Sequence, residues 1–381
     1  MINSGLGREA RWGPGGTCSW QRRYGDAVIR WRTGRVVGVR RAWQGALDLD
    51  VEIDGEPARA LAYPALVGTP LPGDTAILNT TALTMGLGTG GYALVVALPD
   101  RFPPDPAGPG HLVKARYTPT QAVVLGVDEQ DSPHHATIAA AEGIDGMPVV
   151  IADLHSALPA ILAGILVDRP GARVAYVMTD GGALPLWFSR TVSALSDRLA
   201  GTVTVGQAFG GDLEAVTLHT GLIAARHVLS ADVAIVSQGP GNLGTGTPWG
   251  FSGVAAGEAV NATAVLGGRP VAALRISDAD PRDRHRGVSH HSLTAFGKVA
   301  LAPADLVVPA VLPPELAARV ETDLAPLAGR HRVVSVNTEG LDAALRALPV
   351  RLSTMGRSLD GDHAYFLAAA AAGRHAATLA R

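Results

Sequence analysis

The chain has 381 residues, which is long enough for two domains or for one large α/β domain with a smaller one attached. Its 32 basic and 34 acidic residues nearly cancel, so it lacks the excess of Lys and Arg on which nucleic-acid binding depends. A single cysteine, Cys18, excludes an intrachain disulfide and a metal site built from cysteines. No apolar run approaches the roughly 20 residues that span a bilayer. We therefore predict a cytoplasmic protein that binds neither nucleic acid nor membrane.

The N-terminal segment differs in composition from the rest of the chain. It is rich in Gly and Arg and lacks the apolar stretch of a signal peptide. We interpret residues 1–27 as disordered, or as an extension that is not translated, with synthesis beginning at Val28. The first predicted strand starts directly after this valine.

Residues 28–98 show the two-residue alternation of strands that bury one face. The run 47–53 alternates strictly and ends at Asp54-Gly55, a pair that favours a tight hairpin turn. With further strands at 35–39, 59–63, 75–79 and 92–98, the pattern indicates a small antiparallel barrel or sandwich, of which we predict the barrel. Residues 99–110 are rich in Pro and Gly, which interrupt regular backbone hydrogen bonding, and we predict a linker there.

From residue 111 to 381, apolar runs alternate with Ala- and Leu-rich stretches of helical length. This pattern is typical of βαβ units around a mostly parallel sheet that is buried on both faces. The predicted fold class is therefore α/β, preceded by a small β-barrel. Strands are predicted at 122–127, 148–152, 173–178, 203–205, 233–237, 270–276, 306–308 and 332–336. Helices are predicted at 157–167, 185–199, 213–228, 253–266, 314–327, 341–348 and 364–379.

A polar residue follows nearly every predicted strand of this domain. Because ligands bind at the carboxyl ends of parallel strands, these residues are candidates for a cleft at that edge of the sheet. Each aspartate is also explained as a helix N-cap, a position that Asp favours. Asp153, His155 and Asp180 are candidate catalytic residues, since a carboxylate beside a histidine forms an acid/base pair or binds a metal. The full set at the strand ends is Asp128, Asp153, Asp180, Gln207, Gln238, Asp278 and Asn337.

A glycine-rich loop follows the predicted strand 233–237. Its backbone N–H groups are suited to bind a phosphate or a carboxylate. The loop is neither a Walker A motif nor a dinucleotide-binding fingerprint, because the closing Lys and the required glycine spacing are missing. A tight structural turn explains the same glycines equally well. The candidate ligand-binding residues are Gly239, Gly241, Asn242, Gly244, Thr245, Gly246 and Thr247.

The segment 280–294 concentrates Arg, Asp, His and Ser side chains in a chain that is only 17% charged. Arg284 and Arg286 are candidates to clamp an anion, since guanidinium groups match the geometry of phosphate and carboxylate. Ser289 lies close to them in the sequence and is a further candidate for ligand binding. Together with the glycine-rich loop, these residues predict an anion site at the strand ends.

Two adjacent histidines complete the same segment. His290 is the candidate proton carrier. Its neighbour His291 would point to the opposite face of a strand, so we expect at most one of the two at a given ligand. No established metal-ligand spacing is present. The cofactors therefore stay unknown, and a divalent metal is not favoured.

Four segments carry a resemblance to a known family, at 207–215, 239–247, 257–261 and 280–294. On these segments the chain resembles an uncharacterised bacterial family that is defined as a domain of unknown function. The resemblance extends from residue 29 to the C-terminus and leaves out the N-terminal segment. It implies family membership and no particular reaction, because a shared fold does not establish an activity.

These features predict a protein that binds a phosphate- or carboxylate-bearing small molecule in the strand-end cleft and catalyses hydrolysis or group transfer. The alternative is a non-catalytic ligand-sensing or scaffold protein, whose barrel contacts a partner and whose glycine-rich loops are only turns. The mean hydropathy of +0.19 favours a homo-oligomer with apolar surface buried between subunits.

Overall fold

The computed structural model describes residues 28–87 and 90–380. The interpretation of residues 1–27 as disordered or untranslated lies outside this described part. Within it, no helix is both long enough and apolar enough to cross a membrane. The chain forms two compact units. One holds the described residues 28–42 and 47–103, and the other holds 43–46 and 104–380.

The first unit is a closed barrel in the order β1-β2-β3-β5-β4, with β4 pairing back to β1. Asp54 and Gly55 join β2 to β3 with φ of 55° and 83°, the left-handed geometry of the predicted two-residue hairpin. One pair, β3 with β5, is parallel, because β4 and two one-turn helices separate these strands in the chain. The elements are β1 (Trp31–Trp43), β2 (Ala46–Ile53), β3 (Glu56–Ala62), α1 (Pro64–Val67), β4 (Thr75–Asn79), α2 (Thr81–Thr84) and β5 (Ala93–Ala97).

The second unit is built on an eight-stranded sheet in which every neighbouring pair is parallel. The predicted fold class, α/β with a preceding barrel, is thus confirmed. In spatial order the strands are β11 (Leu213–Glu214), β10 (Gly201–Thr204), β9 (Val174–Thr179), β12 (Val233–Gln238), β8 (Pro148–Ala152), β13 (Arg269–Ala273), β16 (Asp305–Pro309) and β17 (Arg332–Val336).

The chain changes direction at the centre of this sheet. β8 and β12 are neighbours in the sheet, but the strands that follow them in the chain lie on opposite sides of this pair. β9, which follows β8, lies on one side, and β13, which follows β12, lies on the other. Connections that diverge in this way open a crevice at the carboxyl ends of the strands, and ligands of open α/β sheets bind there. The central strands β12, β8 and β13 therefore mark where a site is expected.

Helices cover both faces of the sheet. Each face has its own hydrophobic core, and successive residues of β8 point into them in turn. Val149 and Ile151 belong to the first core, and Val150 and Ala152 belong to the second. This double burial explains the apolar runs in the sequence. The first face carries α3 (His135–Ala140), α6 (Leu218–His227), α7 (Ala255–Val265), α8 (His290–Thr294) and α9 (Pro314–Leu324); the second carries α4 (Leu158–Asp168), α5 (Arg190–Leu195), α10 (Leu341–Arg346) and α11 (His363–Leu379).

Three antiparallel ribbons accompany the sheet in the described part of this unit. They are β6 (Leu112–Lys114) with β7 (Ala122–Val124), β14 (Ile276–Ser277) with β15 (Gly287–Val288), and β18 (Ser353–Thr354) with β19 (Arg357–Ser358). The prediction of a sheet strand at 122–127 is therefore wrong for its first half, where residues 122–124 pair with β6. In its second half, Gly126 forms an isolated parallel bridge to Glu214 of β11. The predicted strand 270–276 stops at Ala273, and the chain then enters the β14–β15 ribbon.

Two predicted helices begin later than expected. In the range 213–228 the first residues form the edge strand β11, where a hydrogen bond from the neighbouring strand holds the carboxylate of Glu214. The helix starts only after Thr217, whose hydroxyl caps it. In the range 185–199 the α-helix is restricted to α5, which Ser189 caps in the same way and which short 3₁₀ turns flank on both sides.

Candidate functional site

The carboxyl edge of the sheet brings together residues from three parts of the chain. β8 ends at Ala152 and is followed by Asp153, while Gln238 is the last residue of β12. Beyond β13, the β14–β15 ribbon leads into α8, which begins at His290. This edge lies at the central switch point, because β12, β8 and β13 are adjacent. We use the name strand-end cluster for Asp153, Gln238, His285, His290 and His291.

Asp153 and Gln238 are joined directly within the cluster. Gln238 donates from Nε2 to the backbone carbonyl of Asp153 at 2.7 Å and to Asn242 Oδ1 at 3.0 Å. Asp153 is only 3% exposed, and its side chain caps no helix, since the next turn begins after Leu154 and lacks a side-chain cap. Its Oδ2 lies 3.6 Å from His291 Nδ1, just beyond hydrogen-bonding distance. The N-cap explanation of this aspartate therefore fails.

Three histidine rings pack together beside Asp153. The ring centroids are 4.8 Å apart for His285 and His290, 5.0 Å for His285 and His291, and 4.4 Å for His290 and His291. One ring nitrogen from each residue lies within 4.8 Å of one from each of the others. The expectation that His290 and His291 point to opposite sides is wrong. They begin helix α8, in which successive residues are turned by about 100° and not by 180°.

Ser289 holds this arrangement in place. Its Oγ caps α8 by accepting a hydrogen bond from the His291 backbone N–H at 3.2 Å, and it lies 2.7 Å from His285 Nδ1. The Ser289 backbone N–H donates to the carbonyl of Arg275. Because Ser289 is fully buried, its hydroxyl supports the histidines and does not reach an open surface.

Burial keeps two of the clustered imidazoles uncharged. It lowers the pKa of His285 to about 3, with a further contribution from the charges of Arg275 and Arg282. Burial and the neighbouring His291 and Arg284 lower the pKa of His290 to about 4. At neutral pH each of these two rings therefore has one nitrogen with a free lone pair, which accepts a hydrogen bond or coordinates a metal.

The glycine-rich loop reaches the cluster through Phe251. The ring of Phe251 lies parallel to that of His291, with 3.8 Å between the centroids, and the Phe251 backbone bridges to Gly244. Asn242 Oδ1 accepts hydrogen bonds from Gln238, from Ser252 Oγ and from the N–H of Gly253, so Asn242 ties the loop to the strand. Of the predicted ligand-binding residues in this loop, Gly239 is buried, Asn242 is half-buried, and the exposed ones are Gly241, Gly244, Thr245, Gly246 and Thr247.

A buried carboxylate balances the arginines next to the histidines. Arg282 binds Asp280 through two hydrogen bonds of 2.9 Å, and Arg275 and Arg357 each donate to it at 3.1 Å. Burial alone would raise the pKa of Asp280, but the hydrogen bonds and charge of Arg282, with the charge of Arg275, bring it well below its usual range. Asp280 thus stays ionised and neutralises part of this positive charge.

Arg284 and Arg286 differ from these paired arginines. Both are exposed, and neither forms a hydrogen bond or an ion pair through its side chain with the residues that the structure describes. Arg284 is close enough to His290 for its charge to act on that ring. Both guanidinium groups are therefore open to an anion, and that of Arg284 lies at the edge of the cluster.

Two residues predicted to be catalytic have other partners. Asp180 is exposed and its Oδ2 accepts a hydrogen bond from the Gln207 backbone N–H at 3.0 Å; only the next residue, Gly181, packs against Gln238. His155 lies in the second core, where its ring nitrogens contact Tyr176 Oη at 3.0 Å and Ser189 Oγ at 2.7 Å. Burial lowers the pKa of His155 to about 4.

The cluster also contains a histidine that sequence reasoning does not single out. His285 is 1% exposed and lies in a one-turn 3₁₀ helix, Asp283–His285, between the strands of the β14–β15 ribbon. Its signal in the sequence is its position five residues before His290, which matches no established ligand spacing. The ribbon brings it back beside α8, because β14 and β15 pair across this turn.

A profile of the protein family described as "Protein of unknown function (DUF3866)" matches residues 59–373. The chain belongs to this family. The membership that the sequence resemblance implies is thereby confirmed, and the matched range includes every residue of the strand-end cluster. A search of curated proteins and a search of solved structures each found no match. This family assigns no reaction, so the function has to be argued from the chemistry of the cluster.

Proposed function

We propose that the strand-end cluster binds a small phosphate- or carboxylate-bearing molecule and catalyses hydrolysis or group transfer on it. The cluster would supply the groups that handle protons, and the exposed arginines with the glycine-rich loop would hold the anion. The position supports this assignment, because the cluster lies at the switch point where open α/β sheets bind their ligands.

The observation that carries the proposal is a group of four buried polar atoms without a hydrogen-bond partner. In the described part of the chain, the buried side-chain nitrogen and oxygen atoms in this state are Asp153 Oδ2, Gln238 Oε1, His290 Nε2 and His291 Nδ1. Each such atom costs about 1–3 kcal/mol of stability. All four belong to one cluster, and a local cost of this size is expected where a fold is adapted to a ligand.

The same four atoms indicate where the anion would bind. Asp153 Oδ2 and Gln238 Oε1 only accept hydrogen bonds when Asp153 is ionised, so they suit a water molecule and repel an anion. A cavity of about 10 Å³ adjoins these two side chains, which is room for about one water. The anionic group would therefore bind on the outer side, at Arg284 and Arg286.

This arrangement supports a simple hydrolytic step. A water beside Asp153 attacks the phosphorus or the acyl carbon of the bound molecule, and the bond to the leaving oxygen breaks. The Asp153–His291 pair takes the proton that the water loses and returns a proton to the leaving oxygen. The arginines stabilise the negative charge that develops on the substrate. In group transfer, an acceptor hydroxyl replaces the water.

Binding is tested by thermal-shift and calorimetric titration of the full chain with inorganic phosphate, nucleoside monophosphates, sugar phosphates and citrate. We expect at least one of these anions to stabilise the protein. Arg284→Ala and Arg286→Ala should each weaken that binding about tenfold, since a hydrogen bond to a charged group contributes about 1.5–3 kcal/mol. Arg198→Ala is the matched control, because Arg198 is exposed and precedes β10 at the opposite edge of the sheet. No stabilisation by any anion would overturn the proposal.

Catalysis is tested separately with the anion that binds and with its phosphate or carboxylate esters. Asp153→Asn should keep anion binding and lose turnover, because it removes the proton acceptor and leaves the arginines intact. If the wild type binds the anion but converts none of the esters, the catalytic half of the proposal is refuted. The non-catalytic, ligand-sensing alternative would then be favoured.

A further inference from the structure

We propose that His285, His290 and His291 bind one divalent transition-metal ion, with the carboxylate of Asp153 orienting His291 from behind. The inference extends the proposed function, since it names a Lewis acid for the same cluster. It nevertheless rests on its own observation, the meeting of three imidazole rings. Metal binding is also measurable with no anion present.

The geometry of the three rings is close to that of a metal site. One nitrogen from each ring lies within 4.8 Å of one from each of the others. In a tetrahedral Zn²⁺ site with Zn–N bonds of about 2.0–2.1 Å, ligand nitrogens lie roughly 3.3 Å apart. Each pair therefore has to close by at most about 1.5 Å for the three nitrogens to reach one ion.

An unpartnered atom points to the same ion. His290 Nε2 is buried without a hydrogen-bond partner and is open to coordination. At His285, Nδ1 is occupied by Ser289 Oγ at 2.7 Å, which leaves Nε2 as the nitrogen for coordination. A histidine ligand commonly has its second nitrogen held by an oxygen group. Ser289 does this for His285. Asp153 Oδ2, 3.6 Å from the unpartnered Nδ1 of His291, is placed to do it for His291, which leaves Nε2 of that ring for the metal.

The surrounding charge does not exclude a cation. Arg275 and Arg282 both lie near the histidines, but both are paired with the buried carboxylate of Asp280. Asp153 adds a second negative charge beside His291. Imidazole ligands favour Zn²⁺ and related transition metals over Mg²⁺ or Ca²⁺. Three histidine ligands leave a fourth position for water, which is the arrangement of catalytic rather than structural zinc sites.

The test uses the full chain after treatment with a chelator and dialysis. Zn²⁺ uptake is measured by equilibrium dialysis and elemental analysis, and Co²⁺ is titrated to record the visible spectrum of its coordination shell. We expect one equivalent of metal and a tetrahedral Co²⁺ spectrum. His290→Ala should lower the affinity more than about tenfold, and Asp153→Asn by about 10–100-fold. His219→Ala is the matched control, an exposed histidine outside the cluster, and should bind as the wild type does.

Folding of the metal-free variants is checked by circular dichroism and urea unfolding. His290→Gln is prepared in parallel, because it keeps a polar side chain of similar size while it removes the imidazole. Absence of metal uptake by the wild type would overturn the metal site, and so would equal uptake by wild type and folded His290→Gln. Either result leaves the anion titrations unaffected, so failure of the metal site and failure of anion binding are distinguished.

Discussion

Arg275 and Asp280 form an ion pair that is almost completely removed from solvent, with 3.1 Å between the guanidinium and the carboxylate. The two side chains are 2% and 0% exposed. Arg275 also lies close to the histidines, because its charge helps to lower the pKa of His285. Its backbone N–H donates a hydrogen bond to the Ser292 hydroxyl in α8 at 3.0 Å. The pair therefore fixes the segment between β13 and α8 on which the cluster depends.

We expect Asp280→Asn to destabilise the fold by about 3–5 kcal/mol, because it leaves the charge of Arg275 buried without its partner. Asp283→Asn is the control, since Asp283 pairs with Arg319 on the surface and its side chain is 84% exposed. Such a surface pair contributes about 0–1 kcal/mol. Urea unfolding monitored by circular dichroism measures the free energy of unfolding of both variants. Equal midpoints for the two variants would contradict the importance of the buried pair.

The stack of Phe251 on His291 gives a second prediction. Phe251→Leu should reduce stability by only about 1 kcal/mol, since the substitution keeps most of the apolar volume. It removes the flat surface that orients the His291 ring, so affinity at the cluster for Zn²⁺ and for the anion should fall. Phe102→Leu, at a residue that is 73% exposed, should change neither quantity. Unchanged Zn²⁺ affinity in Phe251→Leu would argue against a positioning role.

The acid sensitivity of the fold should depend on Asp305. This carboxylate lies 2.7 Å from Arg332 Nε and 2.7 Å from His375 Nε2. Burial opposes its ionisation, but the hydrogen bonds from His375 and Arg332 prevail and lower its pKa to about 2. Because this pKa lies below that of an aspartate in the unfolded chain, the ionised carboxylate stabilises the fold at pH values above about 4. The contribution is on the order of 2 kcal/mol, and it is lost as the pH falls toward about 2.

Urea unfolding from about pH 5 down to about pH 2 tests this expectation. The stability of Asp305→Asn should fall less steeply over this range than that of the wild type. The exposed Asp197 offers a control, and Asp197→Asn should follow the wild-type profile. Parallel profiles for all three proteins would show that Asp305 does not carry the acid sensitivity.

The contact between α4 and α11 should tolerate no side chain at Gly164. A Cβ at this position would overlap the backbone carbonyl of Ala370, and one at Gly373 would overlap that of Ile161, so each helix uses a glycine to approach the other. Gly164→Ala is expected to cost about 1–3 kcal/mol through overpacking. Gly171→Ala has no atom within 4 Å of the new Cβ and should leave the melting temperature unchanged. A neutral Gly164→Ala would contradict the close approach.

Much of the fold can be predicted from local sequence patterns. The alternation at 47–53 and the Asp54-Gly55 pair predict the hairpin between β2 and β3, and the apolar runs predict most strands of the parallel sheet. The errors arise where a tertiary contact outweighs a local tendency. Residues 122–124 pair with β6, and Gly126 meets the sheet only in an isolated bridge to Glu214. Glu214 itself is held in an edge strand by a hydrogen bond from Thr204 of the neighbouring strand.

The residues of the candidate site are likewise only partly predictable from the sequence. Polar residues at strand ends are visible in the sequence, and Asp153 and Gln238 are among them, while His290 is predicted from the polar segment 280–294. By its position after the same strand, His155 is as good a candidate as Asp153, but its ring lies in the core between Tyr176 and Ser189. Whether a side chain after a strand points toward the cleft or into the core depends on the turn that follows, and that turn is decided by packing.

Local patterns are enough to predict the α/β class, the preceding barrel and the polar residues at the strand ends, because periodicities and turn pairs act over a few residues. The meeting of His285, His290 and His291 beside Asp153 is specified only in the folded chain. Their meeting depends on strand order at the switch point, on the β14–β15 ribbon and on the Ser289 cap of α8. These are contacts between distant parts of the chain, and burial energy selects among them only when the whole sheet is assembled.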